Sequence, residues 1–283
     1  SSVKNSQLFT NHFLKIMSRG RFNFHFLTHE FMNTLYLFDG TLETFISIIP
    51  VLWAISEPSD RLLSQSEYTP GIFEKTVYLD ERSSADLPVK NNSIPKEVIN
   101  AVIYAFSSGI VEPVEKTPQY LNYIKNNGVD AMSHLAEPSV SVIFKAARKT
   151  SSEAHKLKGI LRFRKLGNIF YGPYFSKCFV LPILADHFKH RLPNESWILH
   201  DTERKTGVFY NGKTVEQAFF SSSELSELAA QYEKAGVEDQ FETLWKKYFD
   251  TIAIEYRKNP KLQRAFMPKQ YWRFIPEVAE RVL

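Results

Sequence analysis

Cysteine occurs only once in the 283 residues, at Cys178. A single thiol cannot form an internal disulfide or supply the several cysteine ligands of a structural zinc or iron–sulfur site. The chain therefore fits a reducing compartment, and we expect it in the cytoplasm. Long hydrophobic runs are missing too, because the run from Phe45 to Ile55 is shorter than the roughly 18 residues of a membrane span. We expect no membrane partner.

The motifs of several enzyme classes are also absent. The chain has no glycine-rich phosphate loop, nucleophile elbow, paired-histidine zinc helix or Cys-x-x-Cys. Its eight histidines are scattered, so we predict no metal site and no cofactor. Whether the protein is an enzyme stays open, since a convergent active site needs no motif.

The chain does contain enough apolar material for a buried core, with 43% hydrophobic and 14% aromatic residues. The sequence pattern changes at Gly159 from mostly helical to partly strand-like, which predicts two regions. Residues 32–150 are expected to be mostly helical with one strand, and residues 151–283 to form an α+β domain with C-terminal helices. Residues 1–31 are basic and are predicted to be an extension outside the native domain, with Met32 as an internal or true start.

In the first region, Asn33 to Gly40 predicts a strand that ends in a turn. Thr41 can cap the helix that follows, which is expected to reach about Ser56 with Pro50 as a kink. Further helices are predicted at 96–107, at 119–127 and, in part, at 129–149. Gly128 is expected to close the helix at 119–127 in a left-handed conformation.

In the second region, alternating apolar and charged residues predict two strands, at 160–166 and 169–175. An amphipathic helix is expected at 178–191, followed by strands at 197–201 and 207–210. Asn211-Gly212 predicts a hairpin turn after them. Together these elements predict an α+β fold, in which an antiparallel ββαββ unit is packed with N-terminal and C-terminal helical segments. The C-terminal helices are predicted at 225–233, 238–257 and 269–283.

Positive charge is concentrated in two zones, although the net charge is only +4. Residues 155–191 hold eight basic side chains against Asp186, and residues 256–273 hold six basic side chains and no acid. Two basic zones on an otherwise acidic chain predict an oriented anion-binding surface. The alternative is that these cations are solvated and partly paired with acids elsewhere.

Arg162 and Arg164 stand two residues apart on the first predicted strand of the second region, so both should point to one face. Lys156 and Lys158 precede them at the same spacing. A strip of four cations could follow a phosphate backbone. The alternative is an edge strand kept soluble by its charge.

The second zone mixes its cations with Tyr271 and Trp272, a composition that suits a nucleic-acid backbone and its bases. The two rings could instead pin the last helix to the core. The residues predicted to contact nucleic acid are Lys156, Lys158, Arg162, Arg164, Arg191, Arg264, Lys269, Tyr271 and Arg273.

His187 and Asp39 are the candidates for acid–base catalysis. His187 lies four residues before Arg191 on a predicted helix, where it could contact phosphate, transfer a proton or only make a structural hydrogen bond. Asp39 ends the first strand, where active sites often gather, but Asp39-Gly40 is also an ordinary turn dipeptide. Cys178 beside Lys177 is either a thiol of lowered pKa or a small buried hydrophobe.

Several motifs together resemble an uncharacterised bacterial domain. They are His155-Lys-Leu-Lys-Gly-Ile-Leu-Arg-Phe-Arg164, Val180-Leu-Pro-Ile-Leu-Ala-Asp-His-Phe188, Arg191, Trp197 and Tyr271-Trp-Arg-Phe-Ile-Pro-Glu277. The chain resembles a family of DNA-metabolism or DNA-repair proteins, whose domain is found fused to uracil-DNA glycosylases and whose longer form is encoded beside a radical-SAM protein. The resemblance implies DNA as a partner, and a radical-SAM protein or DNA glycosylase as a second partner. It carries over no catalytic residues.

Three functions are therefore open. The first is a DNA-binding accessory protein in repair, which presents DNA to a partner enzyme. The second is an enzyme acting on a nucleic-acid base or lesion, with His187 and Asp39 as acid and base. The third is a protein–protein scaffold for such a partner, with Tyr271 and Trp272 as interface anchors.

Overall fold

The computed structural model describes residues 34–70, 75–84, 94–220 and 267–275, together with single residues between 223 and 262. The predicted extension at 1–31 lies outside the described residues, and so do most of the helices predicted at 225–233 and 238–257. None of the described helices is long and apolar enough to cross a membrane.

The first strand and helix form where the sequence predicts them. Strand β1 spans Thr34–Phe38, and helix α1 spans Leu42–Ile55 with Pro50 inside it. Thr41 caps α1, because its side-chain oxygen accepts a hydrogen bond from the backbone N–H of Thr44 at 3.2 Å. This cap satisfies one of the backbone donors that the first turn of a helix leaves without a partner.

β1 is the centre of a three-stranded parallel sheet. β2 (Arg61–Ser64) and β3 (Lys75–Tyr78) pair with it on either side, in the order β2-β1-β3. The prediction of one strand in 32–150 missed both, because each is only four residues long and the segment around them is rich in proline. Since the three strands are parallel, their carboxyl ends meet at one edge of the sheet, where ligands of α/β sheets commonly bind.

Helices follow the sheet in the chain. They are α2 (Lys96–Phe106), α3 (Val111–Glu115), α4 (Thr117–Asn127) and α5 (Pro138–Ile160). Gly128 ends α4 as predicted, with a φ of +82° that glycine adopts without strain. Its ψ of 171° is extended, so the predicted left-handed helical conformation is wrong. The helices and the parallel sheet enclose the first core, which includes Phe38, Phe45, Ile48, Leu52, Val102, Leu121 and Ile143.

α5 is longer than the sequence analysis expected. The predicted strand at 160–166 is wrong in its first half, because the helix continues to Ile160 and β4 covers only Arg164–Leu166. Ala154 and Leu157 are buried at helical spacing and the buried Leu161 follows, so the apolar stripe of α5 reaches the start of the segment that alternation had suggested to be a strand. The expected boundary between residues 150 and 151 falls inside this helix.

The second sheet has five strands in the order β4-β5-β6-β7-β8. They are β4, β5 (Ile169–Tyr174), β6 (Trp197–Asp201), β7 (Thr206–Tyr210) and β8 (Val215–Phe219), with helix α6 (Leu181–Arg191) between β5 and β6. The ββαββ order is present, and the mixed α/β composition fits the predicted α+β class. The sheet is not wholly antiparallel, however, because β5 and β6 run parallel.

The parallel pair has a simple cause. α6 carries the chain from the end of β5 back over the sheet before β6 begins, and such a crossover joins parallel neighbours. The other pairs, β4 with β5, β6 with β7 and β7 with β8, are antiparallel. β8 was not predicted, although the Asn211-Gly212 turn that precedes it was. The second core lies between this sheet and α6 and includes Leu157, Val180, Leu184, Phe188, Trp197 and Leu199.

Candidate nucleic-acid interface and a separate cleft

Arg162 and Arg164 do not share a strand as predicted, and the two lysines that precede them lie on a helix. Lys156 and Lys158 lie on α5, on opposite sides of the buried Leu157. Arg162 lies between α5 and β4, and its Nη1 donates to the carbonyl of Gly159 at 3.2 Å, near the C-terminal end of α5. Arg164 lies on β4, which is an edge strand, as the alternative explanation of its charge requires.

A different basic group forms where α5 and α6 pack together and end. Lys158 near the end of α5 and Arg191 at the end of α6 both act electrostatically on His187. We call these three residues the helix-end surface. Desolvation is the largest cause that lowers the pKa of His187, and the positive charges of Lys158 and Arg191 lower it further, while Asp186 opposes them. Lys158 and His187 are half-buried and Arg191 is exposed, so the group reaches solvent.

The aromatic part of the second basic zone is largely in the core. Tyr271 has only 2% of its surface exposed, so its assignment as a base-stacking residue is wrong. Trp272 is half-buried in the second core, and its indole N–H donates to the carbonyl of Met267 at 2.8 Å. Lys269 is exposed, with its ammonium group 5.9 Å from the centre of the Trp272 ring. The side chains of Arg264 and Arg273 lie outside the part of the chain that the structure describes.

Asp39 is exposed at the carboxyl end of β1. Its carboxylate accepts hydrogen bonds from the backbone N–H and hydroxyl of Thr41, both at 2.9 Å, and from the hydroxyl of Thr44 at 2.9 Å. Desolvation alone would raise the pKa of Asp39, but these hydrogen bonds outweigh it and the pKa is lowered. At neutral pH Asp39 is therefore an anion that can only accept hydrogen bonds.

Asp39 lines a cleft of about 540 Å³. One side of the cleft comes from the carboxyl ends of β1 and β2 and the start of α1, and the other side comes from the segments that flank α2 and α6 and from β7 and β8. The lining residues include Asp39, Glu43, Ser64, Ser66, Glu67, Phe106, Ile110, Val111, Phe179 and Arg204. The volume lies within the range of small-molecule sites in proteins.

Arg204 is held firmly at the edge of this cleft. Its guanidinium donates to the carbonyls of Ser176 at 3.0 Å and Lys177 at 2.9 Å, and to the carboxylate of Asp201 at 3.1 Å. It also lies 5.6 Å from the centre of the Phe179 ring. Sequence reasoning missed Arg204, because it stands in the turn between β6 and β7 among other charged residues. The one signal in the sequence was the i, i+3 spacing of Asp201 and Arg204 across that turn, which would have suggested an ion pair.

The two proposed catalytic residues are not brought together. His187 is not among the described residues that line the cleft of Asp39, so the structure shows no shared site for them. Cys178 is buried, and desolvation raises the pKa of its thiol, which agrees with the small-hydrophobe alternative. Within the described ranges, no group of three or more histidine, cysteine, aspartate or glutamate side chains could hold a metal ion.

Comparison with protein families identifies the class of domain. Residues 115–277, more than half of the chain, match the DUF4130 family, which is described as a domain of unknown function. The chain belongs to this family. The match begins at Glu115, the last residue of α3, and therefore covers α5, the second sheet, the helix-end surface and the Arg204 side of the cleft. No curated protein matches the chain.

Proposed function

We propose that this protein binds DNA through the helix-end surface and acts in DNA repair or DNA metabolism together with a partner enzyme. The observation that carries the proposal is the convergence of Lys158, His187 and Arg191 from two helices. The repair context rests on the family resemblance described above, which also suggests a radical-SAM protein or a uracil-DNA glycosylase as the partner.

A cation at the C-terminal end of a single helix has an ordinary explanation, since it offsets the partial negative charge of that end. The helix-end surface differs because the cations of two helices meet at one histidine. Among the described residues, no carboxylate forms an ion pair with Lys158 or Arg191. The positive charges of Lys158 and Arg191 each disfavour protonation of His187, and a phosphate bound beside the three residues would offset that effect.

The surface also suits a phosphate backbone rather than a base edge. Lys158 and Arg191 supply long flexible donors, and His187 gains a proton more readily when an anion lies beside it. Contacts of this kind position a protein on nucleic acid without reading its sequence. DNA would thus be held in place while a partner carries out the chemistry.

Replacing Lys158 and Arg191 together with alanine should weaken DNA binding similarly for duplexes of unrelated sequence. The slope of log affinity against log salt concentration should become less steep by about 2, because each lost phosphate contact removes roughly one unit. Fluorescence anisotropy with two unrelated labelled duplexes, measured over a series of salt concentrations, gives both quantities.

The matched control is the double variant Lys75→Ala/Lys213→Ala. It removes the same charge from two exposed residues on other elements, one on β3 and one in the turn before β8. It should leave the salt slope near that of the parent. If the two double variants change the slope equally, binding depends on net charge alone and the helix-end surface is not the site.

A further inference from the structure

We infer that the cleft at the carboxyl ends of β1 and β2 binds a free nucleoside, a ligand without phosphate groups. This inference goes beyond DNA binding and uses none of the three residues of the helix-end surface. It rests on the volume of the cleft, its exposed apolar wall, the ionised carboxylate of Asp39 and the balance of charge around the opening.

The apolar wall has the character of a surface for a flat ring. Phe106 and Phe179 contribute half-buried rings, and Ile110 and Val111 stand beside them at the opening. Ile110 is 40% exposed and Val111 is 42% exposed, although both are large apolar side chains. A planar heterocycle lying against these four residues would remove apolar surface from water at roughly 25 cal/mol per Å².

The polar side of the cleft offers acceptors for hydroxyl groups. Asp39 is ionised, and Thr44 contributes a single hydrogen bond to its Oδ2, the oxygen that the Thr41 groups do not contact. A carboxylate oxygen can accept more than one hydrogen bond, so Oδ2 can take a further donor from a ligand. The hydroxyls of Ser64 and Ser66, 2.9 Å apart, lie on the same side and can exchange hydrogen bonds with a sugar. A ribose supplies donors and acceptors of this kind.

The opposite edge of the cleft can recognise a base. Arg204 is fixed by backbone carbonyls and by Asp201, and the structure places no described acceptor at its Nε–H. A carbonyl oxygen or ring nitrogen of a base could accept this hydrogen bond. Because the guanidinium is held in position before the ligand arrives, little side-chain freedom is lost on binding.

The charge around the cleft argues against phosphate. Three carboxylates line it, those of Asp39, Glu43 and Glu67, against the one guanidinium of Arg204. A nucleotide would bring its phosphate into a negative field, and the chain has no glycine-rich loop to cradle it. A nucleoside has the ring and the hydroxyls without that penalty. The same negative field distinguishes the cleft from the helix-end surface, which attracts phosphate.

Isothermal titration of the full chain with adenosine, guanosine, cytidine and uridine tests the inference. At least one nucleoside should bind with a Kd between about 10 µM and 1 mM, and its 5′-monophosphate should bind at least about tenfold more weakly. Asp39→Asn should weaken the nucleoside at least about tenfold, because the amide offers one acceptor oxygen in place of two. The double variant Glu43→Gln/Glu67→Gln removes two of the negative charges, so it should reduce the difference in affinity between the nucleoside and its monophosphate.

Asp130→Asn, an exposed carboxylate outside the cleft, is the matched control and should bind the nucleoside as the parent does. If Asp39→Asn does not fold by circular dichroism, Val111→Trp fills the opening from an exposed position and should abolish nucleoside binding while DNA binding is retained. Three results would each overturn the inference: no nucleoside binds at about 1 mM, the monophosphate binds as tightly as its nucleoside, or both the Asp39 and Val111 variants bind like the parent.

Discussion

Replacing Arg204 with methionine should lower the free energy of unfolding by up to about 3 kcal/mol, the lower end of the cost of removing one partner from a buried ion pair. The lower end applies because the Asp201 side chain is fully buried but that of Arg204 is 29% exposed. Asp201 is completely buried, and Arg204 is its cationic partner at 3.1 Å. Desolvation raises the pKa of Asp201, and Arg204 is the main influence that opposes it. Without the Arg204 side chain, the described hydrogen-bond donors to the buried carboxylate would be the backbone N–H groups of residues 203 and 204 and the hydroxyl of Tyr174. Urea denaturation of the parent and the variant at pH 7.5 measures the difference in their free energies of unfolding.

Arg61→Met is the matched control for this prediction. It removes the same kind of side chain from an ion pair with Glu115, but there the two side chains are 36% and 26% exposed, and the expected loss is about 1 kcal/mol or less. The double variant Arg204→Met/Asp201→Asn should recover part of the stability, since no buried charge is left. Equal losses from Arg61→Met and Arg204→Met would show that burial of Asp201 is not what makes Arg204 important.

The protein should lose stability as the pH falls from about 6.5 to about 4, by roughly 1.4 kcal/mol per pH unit from His200 alone. Desolvation lowers the pKa of His200 to about 4 in the folded chain, against about 6.5 in an unfolded one. In this window the unfolded state binds one more proton than the folded state, so acid favours unfolding. The stabilisation is present above pH 6.5, and about 3 kcal/mol is lost by pH 4.

The surroundings of His200 explain why it stays neutral. It is 5% exposed, its Nδ1 shares a hydrogen bond with the hydroxyl of Tyr171 at 2.6 Å, and its Nε2 has no partner among the described residues. The Phe220 ring lies 5.0 Å away and covers Gly207, which is opposite His200 across the β6–β7 pair. A charged imidazole here would be largely shielded from water and would have no counter-ion among the described residues.

His200→Gln should therefore flatten the dependence of unfolding free energy on pH, measured by urea titration at half-unit intervals from pH 4.5 to 8. Tyr171→Phe serves as the control, because it removes the hydrogen bond, at a cost of about 1 kcal/mol, but keeps the buried imidazole and with it the slope. His187 contributes with the same sign, since its pKa is also lowered. A slope that survives in His200→Gln would assign the acid sensitivity to other groups.

Local signals in the sequence predicted a large part of the fold. The Thr41 cap, the glycine at 128 and the Asn211-Gly212 turn each specify a conformation through neighbouring residues only. Strand pairing is not specified in this way. β2 and β3 are too short to show a pattern, and the direction of β5 relative to β6 depends on the path of α6. The alternation of apolar and charged residues at 160–166 also led to a wrong prediction, because the end of the apolar stripe of a helix resembled the start of a strand.

The candidate sites were harder to predict than the fold. Lys158, His187 and Arg191 were each singled out, but their grouping depends on how two helices pack, which no spacing within the sequence shows. Tyr271 was misjudged because a ring beside cations has the same sequence signature at a surface as in a core. Asp39 was recognised from its place after a strand, whereas its cleft needs Phe179 and Arg204, which lie about 140 and 165 residues further on.

α5 has a consequence for how the molecule comes apart. The N-terminal half of this 23-residue helix supplies Val140, Ile143 and Ala146 to the first core, and its C-terminal half supplies Ala154 and Leu157 to the second. Unfolding of either core would expose the half of α5 that packs in it. The other half of the helix would then lose its continuation and become less stable. The two halves of the protein are thus coupled through one continuous helix, and we expect loss of either core to destabilise the other.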